Sequence, residues 1–333
     1  MGRYYPPFNI TNEMLSLVSS IMEKVGNISS FNNLSKYPVL RKQNRIKSIH
    51  SSCAIEANSL SLDQVTDVIN GAKVIGPQKD ILEVKNAVEA YNQIEKINPL
   101  KENDLKSIHF VFGKNVVLTP GKYRSGNEGV SDQQGNVIFI APPPTMVPTL
   151  MSELFSWLSH EYKNISPLIL SSVFHYEFVF IHPFSDGNGR TVRFWQNALL
   201  GKWKNVFYWL PIENQIHKYQ NEYYEAISKS HINGNSNAFI VFMLKMIDKT
   251  LSELIVETNQ IDHSMSIYID KLLKFLRNNT WYTSNQILEL LNLKSKETLR
   301  KNYLNPAIES GLMILEFPDK PTSRNQRYKI NKN

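Results

Sequence analysis

The 333-residue chain has one cysteine, Cys53. That excludes an intrachain disulfide framework and a cysteine-rich zinc site, and it fits a reducing compartment. No run of about 18 apolar residues occurs, so no helical membrane span is expected. The N-terminus lacks a basic-then-apolar leader pattern. These absences predict a soluble, cytoplasmic protein with no membrane partner. Disorder is excluded too: 42% of the residues are hydrophobic, with 16 Phe and 15 Tyr, enough for buried cores in two or three domains.

Acidic residues are scarce at one end. Residues 265–333 carry 12 Lys and Arg against 6 Asp and Glu, so most of the net charge of +7 lies in the last fifth of the chain. A basic tail points to an acidic partner, with nucleic acid first among the candidates.

What is present centres on residues 182–193, His-Pro-Phe-Ser-Asp-Gly-Asn-Gly-Arg-Thr-Val-Arg. Phe174, Phe178 and Ile181 recur at i, i+4 and i+7, which predicts a buried helix running up to His182. Pro183 has no N–H and restricts the residue before it, so that helix stops there. Gly187 and Gly189 leave two points where backbone can approach a ligand. From Arg190 the pattern is helical again through Val192, Trp195 and Leu199.

A glycine-bearing loop that opens a helix offers unpaired N–H groups and a positive dipole end to an anion. Arg190 and Arg193 lie three apart at the start of that helix, so their guanidinium forks can face one place and hold phosphate oxygens. Asp186 adds a hard oxygen ligand suited to the Mg²⁺ that travels with a nucleotide phosphate chain. His182 titrates near neutrality and can deprotonate an incoming hydroxyl. Singly, each residue has a plain structural reading as a helix end, a turn or a surface charge. Together they read as attack on a nucleotide phosphate.

The run resembles the signature of the Fic (filamentation induced by cAMP) family at every fixed position. The resemblance implies transfer of AMP from Mg·ATP to a Ser, Thr or Tyr hydroxyl of a protein. By resemblance His182 is the base, Asp186 the Mg²⁺ ligand, and Gly187, Asn188 and Gly189 the anion hole for the α- and β-phosphates. Arg190 then holds the phosphate chain and Arg193 the γ-phosphate. In the family a Glu is common three residues before the signature His. Val179 stands there in this chain, with Glu177 nearby.

Upstream, Ser51-Ser52-Cys53-Ala54-Ile55-Glu56-Ala57-Asn58 ends a helix expected over 38–56. Ser52 and Glu56 share one helical face at i, i+4. On periodicity alone Glu56 is a solvated helix-end carboxylate. The run is similar to the inhibitory motif of Fic proteins, whose Glu pairs with the second signature arginine, here Arg193. It departs in Ala57, where the family prefers Gly or Asn.

Val137, Ile138, Phe139 and Ile140 follow Gly135 and precede three prolines, which predicts a small β-hairpin. This resembles the flap that pins the target segment, and Val137, Ile138 and Phe139 are its expected docking residues. His109 is read as a packed helix histidine. Tyr224 and His231 are, by resemblance, expected near the adenine.

The expected fold is mainly α: a Fic helical bundle with a small β-hairpin flap and a C-terminal winged helix-turn-helix domain. Residues 1–100 are expected to form an N-terminal helical segment with the inhibitory motif, 101–260 the catalytic core, and 265–333 the winged helix. The tail is predicted as helices over 267–278, 284–291 and 295–310, a strand from Met313 to Phe317, a basic turn, and a strand from Gln326 to Ile330. Lys294, Lys296, Arg300 and Lys301 cluster around the start of its recognition helix, with Arg324 and Arg327 in or beside the wing.

The expected cofactors are ATP and Mg²⁺. The expected partners are a protein bearing a hydroxyl side chain, the chain itself through auto-AMPylation, and DNA through the winged helix, with homo-oligomerisation left open. Alternatives stay open as well: a Fic enzyme with another donor (UMP, phosphate or phosphocholine), de-AMPylation, or a nucleotide-gated DNA-binding regulator.

Overall fold

The computed structural model describes residues 4–30, 38–131, 137–309 and 311–331. The Thr11 hydroxyl accepts the Met14 amide and starts α1 (Asn12–Ser30). Next come α2 (Pro38–Ile55), α3 (Leu62–Ile69), α4 (Gln78–Tyr91) and α5 (Glu102–Gly113). Helix α3 opens on a capping box in which the Ser61 hydroxyl accepts the Gln64 amide and the Gln64 side chain accepts the Ser61 amide.

The hairpin follows: β1 (Gly129–Ser131) pairs antiparallel with β2 (Val137–Ile140), Val130 opposite Phe139, with a register shift between Val130 and Ser131. Then come α6 (Val147–Glu161), α7 (Pro167–Ile181), α8 (Asn188–Trp203), α9 (Ile212–Lys218), α10 (Gln220–Asn233) and α11 (Asn237–Phe275). Among the described residues no helix is long and apolar enough to cross a membrane.

The chain divides into two compact units, 1–253 and 254–333, with the boundary inside α11. Over 267–278 the sequence predicts a separate helix. The backbone is instead one continuous helix through Phe275. The residues between carry no glycine or proline, so nothing in their chemistry stops the helix.

In the first unit, α7 and α8 are buried almost all round, which is how a helix in the middle of a bundle behaves. They pack on each other, with α6 against α7 and α5 against α8. Trp157, Trp195, Phe174, Phe178, Phe194 and Phe239 fill the space between layers.

Helix α2 is fixed across this core by one carboxylate. Glu213 on α9, 1% exposed, accepts hydrogen bonds from Ser48 on α2 (2.9 Å), Tyr91 on α4 (2.5 Å) and Asn197 on α8 (2.7 Å). The two guanidiniums Arg41 and Arg45 stack on Trp209 at 3.8 and 4.6 Å from its ring centroid. These contacts set where the C-terminal end of α2 points.

The second unit has its own core of Leu272, Leu276, Ile287, Leu299, Tyr303 and Met313. Helix α12 (Ser284–Leu290) carries a capping box from Thr283 and Gln286. Then α13 (Lys296–Thr298), a π-helical stretch (Leu299–Leu304) and α14 (Asn305–Glu309) form one continuous segment. Strands β3 (Tyr282–Thr283), β4 (Met313–Leu315) and β5 (Arg327–Ile330) form an antiparallel sheet in the order β3-β5-β4. Helical segments followed by two paired strands were expected here; β3 is added, since two residues are too few to show an alternation in sequence.

The Glu213 cluster yields a direct test. Tyr91→Phe removes one of three donors to a buried charge, and is expected to lower the unfolding free energy by about 1.5–3 kcal/mol, read by urea titration.

Candidate active site

Helix α7 ends where Pro183 forbids another turn. His182 takes the left-handed conformation (φ 50°) as its cap, and its amide still donates to the Phe178 carbonyl at 2.9 Å. A non-glycine residue in that region costs about 1–2 kcal/mol, so its surroundings must hold it. Arg124 does so. Its Nε donates to the His182 carbonyl (2.7 Å), Nη2 to the Ile181 and Pro142 carbonyls, and its backbone amide to the Pro183 carbonyl. One buried guanidinium therefore knits the segment before the hairpin to the peptide that aims His182.

The loop is closed from within by Asn188. Its side-chain oxygen accepts the Phe184 amide (2.9 Å) and its side-chain nitrogen donates to the Phe184 carbonyl (2.6 Å). The side chain is thus committed to loop shape, and only the Asn188 backbone amide is left for an anion. Gly187 is left-handed (φ 80°) at the N-cap of α8. The first-turn amides that follow have no intrahelical acceptor. Asp186, about half exposed, accepts the Gly187 amide at 2.5 Å and faces Arg190 at 3.4 Å.

His109 is packed, as expected, and also shapes the loop. Its Nδ1 accepts the Gly121 amide at 2.8 Å, so the ring proton sits on Nε2, which donates to the Asp186 carbonyl at 2.8 Å. The ring stacks on Phe184 with centroids 3.6 Å apart. Burial holds His109 down at about 4. Burial, with Arg124 adding to it, lowers His182 to about 4, so its imidazole is neutral at pH 7 and able to accept a proton.

Both signature arginines are buried and both meet carboxylates. Arg193, 2% exposed, donates from Nε to the Ser52 hydroxyl (3.2 Å) and from Nη2 to the Ser52 carbonyl (2.8 Å) and the Glu56 carboxylate (2.9 Å). The expected Ser52 and Glu56 pair thus converges on the expected arginine. Glu56 also lies flat on the loop: a Cβ on Gly189 would run into its carboxylate. Arg190 sits 3.1 Å from Glu83 on α4, whose other oxygen accepts the Asn58 side chain at 2.9 Å. Glu83 was not foreseen. It lies in an ordinary amphipathic stretch about a hundred residues from its partner, and nothing local marks it.

Ala57 follows Glu56 with φ 62°, and its amide closes the end of α2 on the Ala54 carbonyl. The departure from Gly noted in the sequence falls on the position where a Cβ is disfavoured.

The remaining expected residues lie on neighbouring surfaces. Phe139, 4% exposed, is turned inward and stacks on His231 (4.8 Å) and Phe180 (5.7 Å). The side chains of Val137 and Ile138 lie outside the described residues; their backbone forms β2. Tyr224 packs on Tyr223 at 5.4 Å. Tyr223 in turn meets His175 Nε2 at 3.0 Å, and His175 Nδ1 meets Gln196 at 2.5 Å. Glu177 points away from the signature loop and takes the Tyr4 hydroxyl at 2.5 Å.

Two stability predictions follow from these environments. Burial holds His175 at about 3, so with His109 and His182 three imidazoles stay neutral in the folded chain well below their ordinary 6.5. Between about pH 4 and 6.5 the unfolded chain binds more protons at these sites, so stability falls as the pH falls. Glu177 acts oppositely: burial raises it from 4.5 to about 7, so there the folded chain holds the extra proton. Glu177→Gln keeps an acceptor for Tyr4 and removes that opposition. Urea midpoints measured across this range are expected to show an acid-side slope steeper than wild type by about 1.4 kcal/mol per pH unit. Ala57→Gly, which relieves the left-handed cap, is expected to raise the unfolding free energy by about 0.5–1 kcal/mol in the same titration.

Comparison with known proteins agrees with this geometry. The model of the Fic/DOC family matches residues 99–200, and that of the "Filamentation induced by cAMP protein Fic-like, C-terminal domain" matches residues 268–331. The curated "Protein adenylyltransferase Fic" of Nematostella vectensis is 28% identical over 261 residues, covering 75% of this chain and 57% of that protein. The protein of the same name from Culex quinquefasciatus is 28% identical over 235 residues, covering 68% of this chain and 45% of its own length. The chain thus spans about half the length of these curated relatives. Fic-1 from C. elegans shares the fold at 19% identity and TM-score 0.60, over 74% of this chain and 73% of the other. The crystal structure of a Fic family protein from Desulfovibrio desulfuricans G20 is 37% identical with TM-score 0.73, over 99% of each chain. On this whole-length similarity, the chain belongs to the Fic family.

Proposed function

We propose that the chain transfers AMP from ATP to a hydroxyl of a protein side chain, and that Glu56 restrains the transfer. The observation that carries this reading is the cradle at the start of α8: first-turn amides, two buried arginines and a neutral His182 around one loop. The curated relatives named protein adenylyltransferase support it.

In this reading His182 accepts the proton of the incoming hydroxyl as its oxygen bonds to the α-phosphorus. The bond from that phosphorus to the bridging oxygen breaks and pyrophosphate leaves. The backbone amides after Gly187 and the Arg190 guanidinium stabilise the charge that develops on the phosphate oxygens. Arg193 takes the far end of the triphosphate once Glu56 releases it. Tyr224 and the His231–Phe139 stack are the candidate surfaces for the adenine. The hairpin, pairing through its backbone, is the candidate dock for the target segment.

The donor set fits a Mg²⁺ that arrives with the nucleotide. No cluster of three or more metal-ligating His, Cys, Asp or Glu side chains occurs among the described residues, while Asp186 stands half exposed at the loop. One carboxylate plus substrate phosphates is an ordinary Mg²⁺ site. When bound, the ion would neutralise phosphate charge.

Glu56 supports the restraint because it occupies both the guanidinium of Arg193 and the space over Gly189. The same carboxylate, about one-third exposed, also suits holding a water for the reverse reaction, removal of AMP.

ATP labelled on the α-phosphate, compared with ATP labelled on the γ-phosphate, tests this reading. Label is expected on protein, the chain itself included, from the α position only. It should rise by on the order of tenfold or more in Glu56→Gly and vanish in His182→Ala. Label from the γ position would replace AMP transfer with phosphate transfer. Equal labelling by wild type and Glu56→Gly would remove the restraint. Chasing labelled protein with unlabelled enzyme reads the reverse reaction, which should require Glu56.

A further inference from the structure

The C-terminal unit contains a polar cleft that the transfer reaction leaves unused. Its volume is about 340 Å³, and it lies between the start of α12, the start of α13 and the turn joining β4 to β5. Lys296 and Arg300 line it from one side and Arg324 from the other, with the hydroxyl side chains of Ser284 and Thr322 between them. None of its lining residues is acidic.

The three cations are available. Among the described residues no ion pair engages Lys296, Arg300 or Arg324, whereas Arg327, one strand position beyond the turn, is committed to Glu316. Lys296 and Arg300 are exposed and share a helical face at i, i+4, while Leu299 and Tyr303 beside them are buried in the core. The spacing is therefore imposed by packing.

The turn that carries Arg324 is braced from inside. Gln326, 4% exposed, accepts the Phe317 amide (3.0 Å) and donates to the Phe317 carbonyl (2.8 Å) and the Lys320 carbonyl (3.3 Å). The Ser323 amide closes onto the Lys320 carbonyl at 3.0 Å. The backbone that carries Arg324 is thus fixed before any ligand arrives, which reduces the ordering cost of binding.

We infer that this cleft binds a backbone phosphate of a nucleic-acid duplex. Two guanidiniums, an ammonium and hydroxyl groups without a carboxylate match phosphate oxygens. The one aromatic in the lining, Tyr328, is 6% exposed and offers no face for stacking a base, so the cleft suits a paired duplex over a single strand or a free nucleotide. Lys294, Lys301 and Lys320, near the lining residues in sequence, are exposed as well, alongside the exposed acids Glu297 and Asp319. This inference stands apart from the transfer reaction and does not depend on His182.

The test is fluorescence anisotropy of the full chain with a short mixed-sequence DNA duplex over a range of salt. Lys296→Ala/Arg300→Ala/Arg324→Ala is expected to weaken binding by at least roughly tenfold at about 0.1 M salt. It should also flatten the plot of log affinity against log salt by about 0.9 for each cation removed. Its circular dichroism should match wild type, since all three side chains are exposed. Arg327→Ala, taken from its Glu316 pair, should leave affinity within about twofold. Absence of duplex binding by the wild-type chain at low salt would overturn the inference. So would binding that survives the triple substitution, or poly-glutamate binding as tightly as the duplex.

Discussion

Everything around the signature loop depends on how one buried positive charge is satisfied. Arg193 has almost no contact with solvent, and a guanidinium taken out of water must be paired. Ser52 and Glu56, both from the end of α2, supply the partners. The position of α2 is itself fixed by Ser48 on Glu213, so the chain holds a carboxylate over its own anion cradle through an interaction anchored far from it. A pair that is one-third exposed on the carboxylate side is weaker than a sealed one.

Around that pair the structure is organised to keep geometry fixed and charge low. Arg124 holds His182 in a left-handed conformation and, with burial, keeps its imidazole neutral. His109 fixes the Asp186 carbonyl through a tautomer set by the Gly121 amide. Asn188 spends its side chain on the Phe184 backbone, so that only backbone faces the space above the loop. Arg190 is paired with Glu83, and Glu83 with Asn58, two residues past Glu56. Glu83 thereby links Arg190 to the segment that follows Glu56.

The signature loop was legible because its residues are contiguous and each is chosen by local chemistry: proline to stop α7, glycines to open α8, arginines one turn in. The Ser52–Glu56 pair was legible as one helical face, and the C-terminal unit through its succession of helices, strands and a basic turn. The contacts of Glu83 with Arg190 and of Arg124 with the His182 carbonyl were not, because each joins residues far apart in sequence. Residues 260–266 read as a linker between two helices, yet with no helix breaker among them the backbone of α11 continues through them. Ala57 shows the converse: the sequence marked the departure, and only the backbone showed that a left-handed φ is what makes it matter.

The central claim, that Glu56 competes with phosphate for Arg193, is tested most directly by calorimetric binding of inorganic pyrophosphate to wild type and Glu56→Gly. Removal of the competing carboxylate should tighten binding by on the order of tenfold, about 1.4 kcal/mol. Equal affinity in the two proteins would mean that Glu56 does not hold the arginine against anions, and would contradict the account.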